Sequence, residues 1–323
     1  MAHAVETMAF AGETPWHGLG NKVVGSVTVD EMLVAAGLDW GVVKRPLFVE
    51  AGDEKIMIPN KMALMRDTDN SIFSVVGKDW QPFQNKDAME FFREYTETGG
   101  ATLETAGALH GGRVVWGLAN IKKGFTLNGR DQVNGYILLI VPHESGVSNS
   151  ARTTAVRVVC ANTLAMALSQ ANNPEYRQSH AKPFDVSKAK ETIQLAQEQI
   201  ALHEEEAIAL QKLKLNAIDT MTFLAKNFQV AESHEKAQVL TLLTNPSLQN
   251  KTLGNVLASV VNAPGATPGN GWGVLNGVTH WADHVAGKSQ DVRLYNSWMG
   301  KTGQIKLDVK RQLLEMADYA LAA

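Results

Sequence analysis

Apolar positions follow a strand-like rhythm through the first half of the chain and a helical one through the second. The first forty residues are rich in turn formers, notably Gly12-Glu13-Thr14-Pro15-Trp16-His17-Gly18-Leu19-Gly20. A first helix is predicted from about Val29 to Ala36. The Thr28 hydroxyl can accept an orphan amide proton there, Glu31 stands at the spacing of a capping box, and Gly37 can end the helix. β segments follow at Trp40 to Val49, Lys55 to Ile58, Met62 to Arg66 and Ile72 to Val76, with Asp67-Thr68-Asp69-Asn70 as turn chemistry before the last. Ala88, Met89, Phe91, Phe92 and Tyr95 recur at helical spacing and predict a helix from Lys86 to Thr98, closed by Gly99-Gly100. Two strands, Thr102 to Leu109 and Val114 to Ile121, flank the hairpin turn His110-Gly111-Gly112-Arg113, and the apolar run within Val133 to Val141 predicts a central, buried strand. Strands, a helix and strands again predict an α+β fold, an antiparallel or mixed sheet packed with helices.

Beyond His143 the chain turns polar and then helical in character. Ala155 to Ser169 reads as a helix rich in alanine and leucine, although its Val158-Val159 start also suits a strand, and Asn172-Asn173-Pro174 breaks it. From Val186 to Val230 Ala, Leu, Gln, Glu and Lys dominate, residues that favour helix, with Glu204-Glu205-Glu206 expected on a solvated face. Further helices are expected at His234 to Leu243, Gly273 to Ala286 and Ile305 to Leu321, with a Pro- and Gly-rich loop over residues 262–271. The expected organisation is an α+β domain over residues 1–184 followed by a mainly helical C-terminal region over 185–323.

Composition fits a folded chain: 323 residues, 45% hydrophobic and 20% charged. The N-terminus carries neither a basic region nor an apolar core of a signal sequence, and no apolar run approaches the roughly 18 to 20 residues of a membrane helix, so a cytoplasmic, non-membrane protein is expected. A single cysteine, Cys160, excludes an intrachain disulfide and a multi-cysteine zinc site. The net charge of −3 argues against a strong polyanion binder, but its distribution does not. Between His110 and Lys190 ten basic residues face four acidic ones, a local charge of +6 that leaves −9 for the rest. A polyanion site can be local, because exposed charges are screened beyond roughly 8 to 10 Å.

Motifs for catalysis fare poorly. Ala282-Asp283-His284-Val285-Ala286-Gly287-Lys288-Ser289 fits the permissive phosphate-loop string, but a predicted helix precedes it where a strand is required. His280 and His284 stand one helical turn apart and could share a metal, yet Trp281 occupies the position where the hydrolytic zinc motif needs glutamate. No catalytic residue, metal ligand or cofactor is therefore assigned. The strongest constellation is His143 to Thr163, where Asn149, Ser150 and neighbouring hydroxyls join Arg152 and Arg157. A helix starting after Ser150 would add free amides for anions. With Arg113, Lys122 and Lys123 as further phosphate contacts and Trp80 or Trp116 as a stacking face for bases, these residues form a candidate nucleic-acid interface.

Three strings carry a resemblance: Gly12 to Gly20, Arg157-Val158-Val159-Cys160-Ala161-Asn162-Thr163-Leu164, and Trp272-Gly273-Val274-Leu275-Asn276-Gly277-Val278-Thr279-His280-Trp281-Ala282-Asp283-His284. In this order they resemble the phage/plasmid-like family known as domain of unknown function 932, with Gly277, His280 and Trp281 departing from its usual pattern. The resemblance implies mobile-element biology and brings no established catalytic residues. The expectation is a non-enzymatic protein that binds or anneals single-stranded DNA in phage or plasmid recombination or replication, acting as a homo-oligomer. Two alternatives stand beside it. One is an interaction protein that targets a host defence or regulatory factor; the other is a metal-dependent or nucleotide-processing enzyme using His280, Asp283 and His284.

Overall fold

The structure, a computed structural model, describes residues 5–12, 20–24, 27–97, 99–157, 162–164, 176–182, 186–228, 251–289, 292–293, 296–297 and 300–318. Expectations for residues 13–19, 165–169 and 234–243 lie outside them. The fold is α+β, with a mixed sheet and a helical C-terminal region. The chain forms two compact units, one of Met1–Lys122, Tyr136–Thr153 and Pro174–Ala196, the other of Lys123–Gly135, Thr154–Asn173 and Gln197–Ala323.

The larger sheet contains β1 (Val5–Ala11), β2 (Asn21–Val23), β6 (Thr102–Leu109), β7 (Val114–Leu127), β8 (Asp131–Pro142), β9 (Asn149–Arg157), β10 (Asn162–Leu164) and β11 (Tyr176–Gln178). Its order is β10-β9-β8-β7-β6-β1-β2, with β11 also pairing β9. β1 and β2 run parallel, whereas β1 with β6 and β6 with β7 run antiparallel. The hairpin between β6 and β7 turns at His110, Gly111 and Gly112, all at positive φ, as the turn residues predict. A smaller antiparallel sheet is ordered β3 (Val42–Ala51), β4 (Glu54–Arg66), β5 (Ile72–Gly77).

Helix α1 (Val29–Ala35) starts at the predicted capping box: the Thr28 hydroxyl accepts the Glu31 amide at 3.2 Å and the Glu31 carboxylate accepts the Thr28 amide at 2.9 Å. α1 and α2 (Asn85–Glu97) pack together and against β6. Met89 and Phe92 of α2 are buried over Gly117, where an added Cβ would come within 2.8 Å of the Phe92 ring. Gly107, directly across from Trp116, performs the same service for the indole, and a methyl there would overlap both the ring and the Thr7 carbonyl. Gly107→Ala is therefore expected to destabilise the protein by about 1 to 3 kcal/mol, because strand backbone cannot retreat from the overlap. Urea unfolding monitored by tryptophan fluorescence measures this; an unchanged midpoint would contradict the packing.

The segment after Ser150 is not helical. Residues 149–157 form β9, so no helix N-terminus offers amides to an anion there. Thr153, Thr154, Val156 and the flanking alternation suit a pleated strand whose backbone groups are taken by its neighbours, and β11 and β10 both pair with it.

The second unit carries α4 (Ala217–Asn227), α5 (Lys251–Asn262), α6 (Gly271–His280) and α7 (Lys301–Met316). Asn216 and Asn270 cap α4 and α6 with their side-chain oxygens. α3 (Val186–Lys212) turns His203, Glu206, Ala207 and Leu210 inward at helical spacing. Glu206 is thus buried, against the solvated face expected for the acidic run. Its partner is Lys310 of α7, also buried, with Nζ 2.6 Å from Glu206 Oε2 and 3.0 Å from His203 Nδ1. His203 Nδ1 also stands 3.1 Å from Glu206 Oε2, so the three groups form one buried cluster, and the ring lies among aromatic neighbours that include Phe125 and Trp272. One turn earlier on α7, buried Lys306 donates to Asp283 at 3.0 Å and lies 2.7 Å from the Ser297 hydroxyl, which itself donates to Asp283. Asp283 sits in the π-helical turn Trp281–Val285 that follows α6.

Candidate nucleic-acid interface

The site is assembled in the first unit around the turn after β5. The Trp80 amide donates to the Gly77 carbonyl at 3.1 Å, closing that turn. Lys44 of β3 then reaches across, its ammonium donating to the carbonyls of Lys78 at 2.7 Å and Trp80 at 2.9 Å. Trp80 is half-buried, with one face stacked on His180 at a ring separation of 3.9 Å and 14° between planes. His180 is held by its backbone and its ring: its carbonyl accepts the Gln81 amide at 2.7 Å, and its Nδ1 stands 3.1 Å from the Gln81 carbonyl. Burial lowers the pKa of His180, with the Gln81 and Val147 carbonyls acting against it, so the ring is neutral at pH 7 and stacks as a flat, uncharged plate.

β11 carries the polar rim. Arg177 lies opposite Ser150, and Gln178 opposite Asn149. Arg177, Lys182 and Lys78 are exposed, as is the acidic Asp79. Ser150 and Arg152 are half-buried on alternate positions of β9, and Asn149 is buried. A stacking face, exposed cations and strand-borne polar groups therefore come from three stretches far apart in sequence.

The loop from β8 into β9 is anchored from beneath. Asn85 donates to the carbonyls of Leu38 at 3.1 Å and Trp40 at 3.2 Å, so its oxygen must accept from His143 Nε2 at 2.9 Å. Burial first, then the charges that His180 and Arg66 would present, push the His143 pKa down to about 3 and keep the ring neutral. The ring packs between Trp40 and Phe73, and Arg66 lies 4.5 Å above the Trp40 ring, bonded to Glu6 at 2.7 Å. The His143 amide donates to the Arg113 carbonyl at 2.6 Å, tying the β6–β7 turn to the same loop, and the Arg113 side chain is exposed.

Other residues predicted for the interface fall differently. Trp116 is 1% exposed, its ring taken up by the core over Gly107, so it offers no face to a base. Lys122 is exposed but its ammonium donates to the Gly99 carbonyl at 2.9 Å, at the turn after α2; Lys123 is exposed beside it. Arg157 pairs through its backbone with Asn162, and its side chain lies outside the described residues. Lys44 and His180 were not anticipated. Their partners lie 34 to 99 residues away, a separation at which local pattern carries no signal.

The remaining chemical motifs are absorbed by packing. The His280 and His284 rings stack at 4.6 Å, His280 Nδ1 lies 3.2 Å from the Ser259 hydroxyl, and Asp283 is taken by Ser297 and Lys306. No group of three or more metal-ligating side chains occurs among the described residues. A helix, not a strand, precedes the phosphate-loop-like string. None of the described helices is long and apolar enough to cross a membrane.

An α+β protein with a mixed sheet and a helical C-terminal region is the class these observations define. The pattern of the family described as Domain of unknown function (DUF932) matches residues 72–304, and the chain belongs to that family. No curated protein and no solved structure matches it.

Proposed function

We propose that the protein binds single-stranded DNA of phage or plasmid origin, without sequence preference, and supports its annealing in recombination or replication. The observation that carries this reading is the half-exposed Trp80 stacked on neutral His180, with Lys78, Arg177 and Lys182 exposed nearby. Single-strand binders combine aromatic faces, on which any base can stack, with cations that follow the backbone. Arg113 and Arg152 extend the phosphate contacts, and Ser150 supplies a hydroxyl on the strand paired with β11. Trp116 has no part in it. A strand held by its backbone and by occasional stacking keeps its base edges free for a complementary strand, and several copies side by side would lengthen the aligned segment.

Titration of a fluorescent oligothymidylate into the full chain at several salt concentrations tests the reading. Binding is expected at low salt and weakens as salt rises, in proportion to the phosphates neutralised. Trp80→Ala is expected to weaken it by about 1 to 3 kcal/mol per stacked base, roughly 5- to 150-fold. Binding that is absent at low salt, or insensitive to both salt and Trp80→Ala, would overturn the proposal.

A further inference from the structure

His180 is buried beside the turn after β5, and its ring is only half provided for. Its Nδ1 stands 3.1 Å from the Gln81 carbonyl, and a carbonyl only accepts, so neutral His180 carries its ring proton on Nδ1. Nε2 is left with a lone pair, buried and without a hydrogen-bond partner. A second carbonyl, that of Val147 in the β8–β9 loop, favours the protonated ring. With Nδ1 given to Gln81, Nε2 is the nitrogen that can serve it. A neutral imidazole donates to one carbonyl, whereas an imidazolium donates to two. Trp80 stacks on the same ring at 3.9 Å, close enough for its π-face to attract a cation.

The elements around His180 carry Lys44 on β3, Lys78 and Asp79 in the turn, Glu144 in the β8–β9 loop, and Arg177 and Lys182 on either side of the histidine in sequence. His143, at the start of that loop, is itself held neutral by burial. Four cations against two carboxylates disfavour a further positive charge on the ring, and a phosphate backbone laid along the cations reverses that balance. We infer that single-stranded DNA binds with uptake of one proton by His180, whose Nδ1 and Nε2 then donate to the Gln81 and Val147 carbonyls and tie the turn to the β8–β9 loop beneath the stacked base. This rests on the nucleic-acid reading above and gives that site its regulation: the strand is held more tightly as pH falls. Burial sets the free ring below its ordinary value of 6.5, and the bound strand raises it. Affinity therefore climbs as pH falls through the bound value and levels off below the free one.

Oligothymidylate, whose bases do not titrate between about pH 5.5 and 8, is added to the full chain across that range at fixed low salt. Affinity is expected to rise about tenfold from the top of the range to the bottom, the change that a rise of about one unit in the ring pKa on binding produces. His180→Phe keeps a flat ring against Trp80 but cannot take up a proton, and is expected to bind with most of that slope gone. On natural protein labelled with nitrogen-15 at histidine, magnetic resonance of the ring nitrogens should show the His180 pKa rising when oligothymidylate is added. That measurement needs no variant to fold. A slope equal in the natural chain and in His180→Phe, or a His180 pKa that does not move in the complex, overturns the inference and leaves the nucleic-acid reading standing. Absence of binding at every pH overturns both.

Discussion

Lys310→Met is expected to lower the unfolding free energy by about 3 to 5 kcal/mol, the scale found when one member of a buried ion pair is removed. The loss comes from what remains: Glu206 keeps a carboxylate deep in the unit with only the His203 ring beside it, and that ring is itself held neutral. Burial alone would raise the Glu206 pKa, yet the Lys310 charge and the bond from His203 hold it at about 2. Burial lowers the pKa of Lys310 in turn, with Glu206 opposing. Without the ammonium, Glu206 must take up a proton or the site must open. Adding Glu206→Gln to Lys310→Met removes the stranded charge and should recover part of the loss. Guanidinium unfolding of both single variants and the double measures the coupling, and strict additivity would show that the pair does not act as one unit.

Acidification is expected to destabilise the protein well above the range in which carboxylates titrate. Burial holds His143 at about 3 and His203 and His280 at about 4, and lowers His180. The ordinary value is near 6.5, so as pH falls through it the unfolded chain takes up protons that the folded chain refuses. The unfolded state then binds more protons, and stability falls with pH. The contribution of these rings is fully present above about 6.5 and drains away toward the folded values. Glu206 acts in the same direction at lower pH: its contribution is present above about 4.5 and is lost as pH approaches 2. Thermal melts from pH 8 to 4 should show the midpoint dropping steadily below pH 7. His143→Gln, which keeps an amide donor for Asn85, should flatten that slope; a midpoint constant from pH 7 to 5 would contradict neutral burial.

Local chemistry is what the sequence made readable. The Thr28 and Glu31 cap, the spacing of Met89 and Phe92, and the glycines of the 110–113 turn each act over a few residues, and the corresponding elements appear where expected. β1 did not announce itself, because Val5-Glu6-Thr7-Met8-Ala9-Phe10-Ala11 has no clean alternation. It is a strand because β6, almost a hundred residues on, supplies its hydrogen bonds. Ala155 to Arg157 looked helical through alanine content and became strand for a similar reason. At the interface, Trp80 and Trp116 were equivalent by composition. What separates them is that Gly107 opens a slot for one indole, while His180 offers a surface to the other. The acidic run at 204–206 misled because a basic partner 104 residues away, Lys310, takes one of its members inside.

α7 holds Lys306 and Lys310 four positions apart, each matched to a different carboxylate from a different element. Two such plugs fix both the rotation and the height of the helix in its groove. A shift of even one residue would leave two ammonium groups and two carboxylates facing hydrocarbon at once, so no neighbouring seat is tolerable. Hydrophobic side chains would permit such slippage, since one methyl-lined slot much resembles the next. The C-terminal helix therefore has a single address, written in charge rather than in shape.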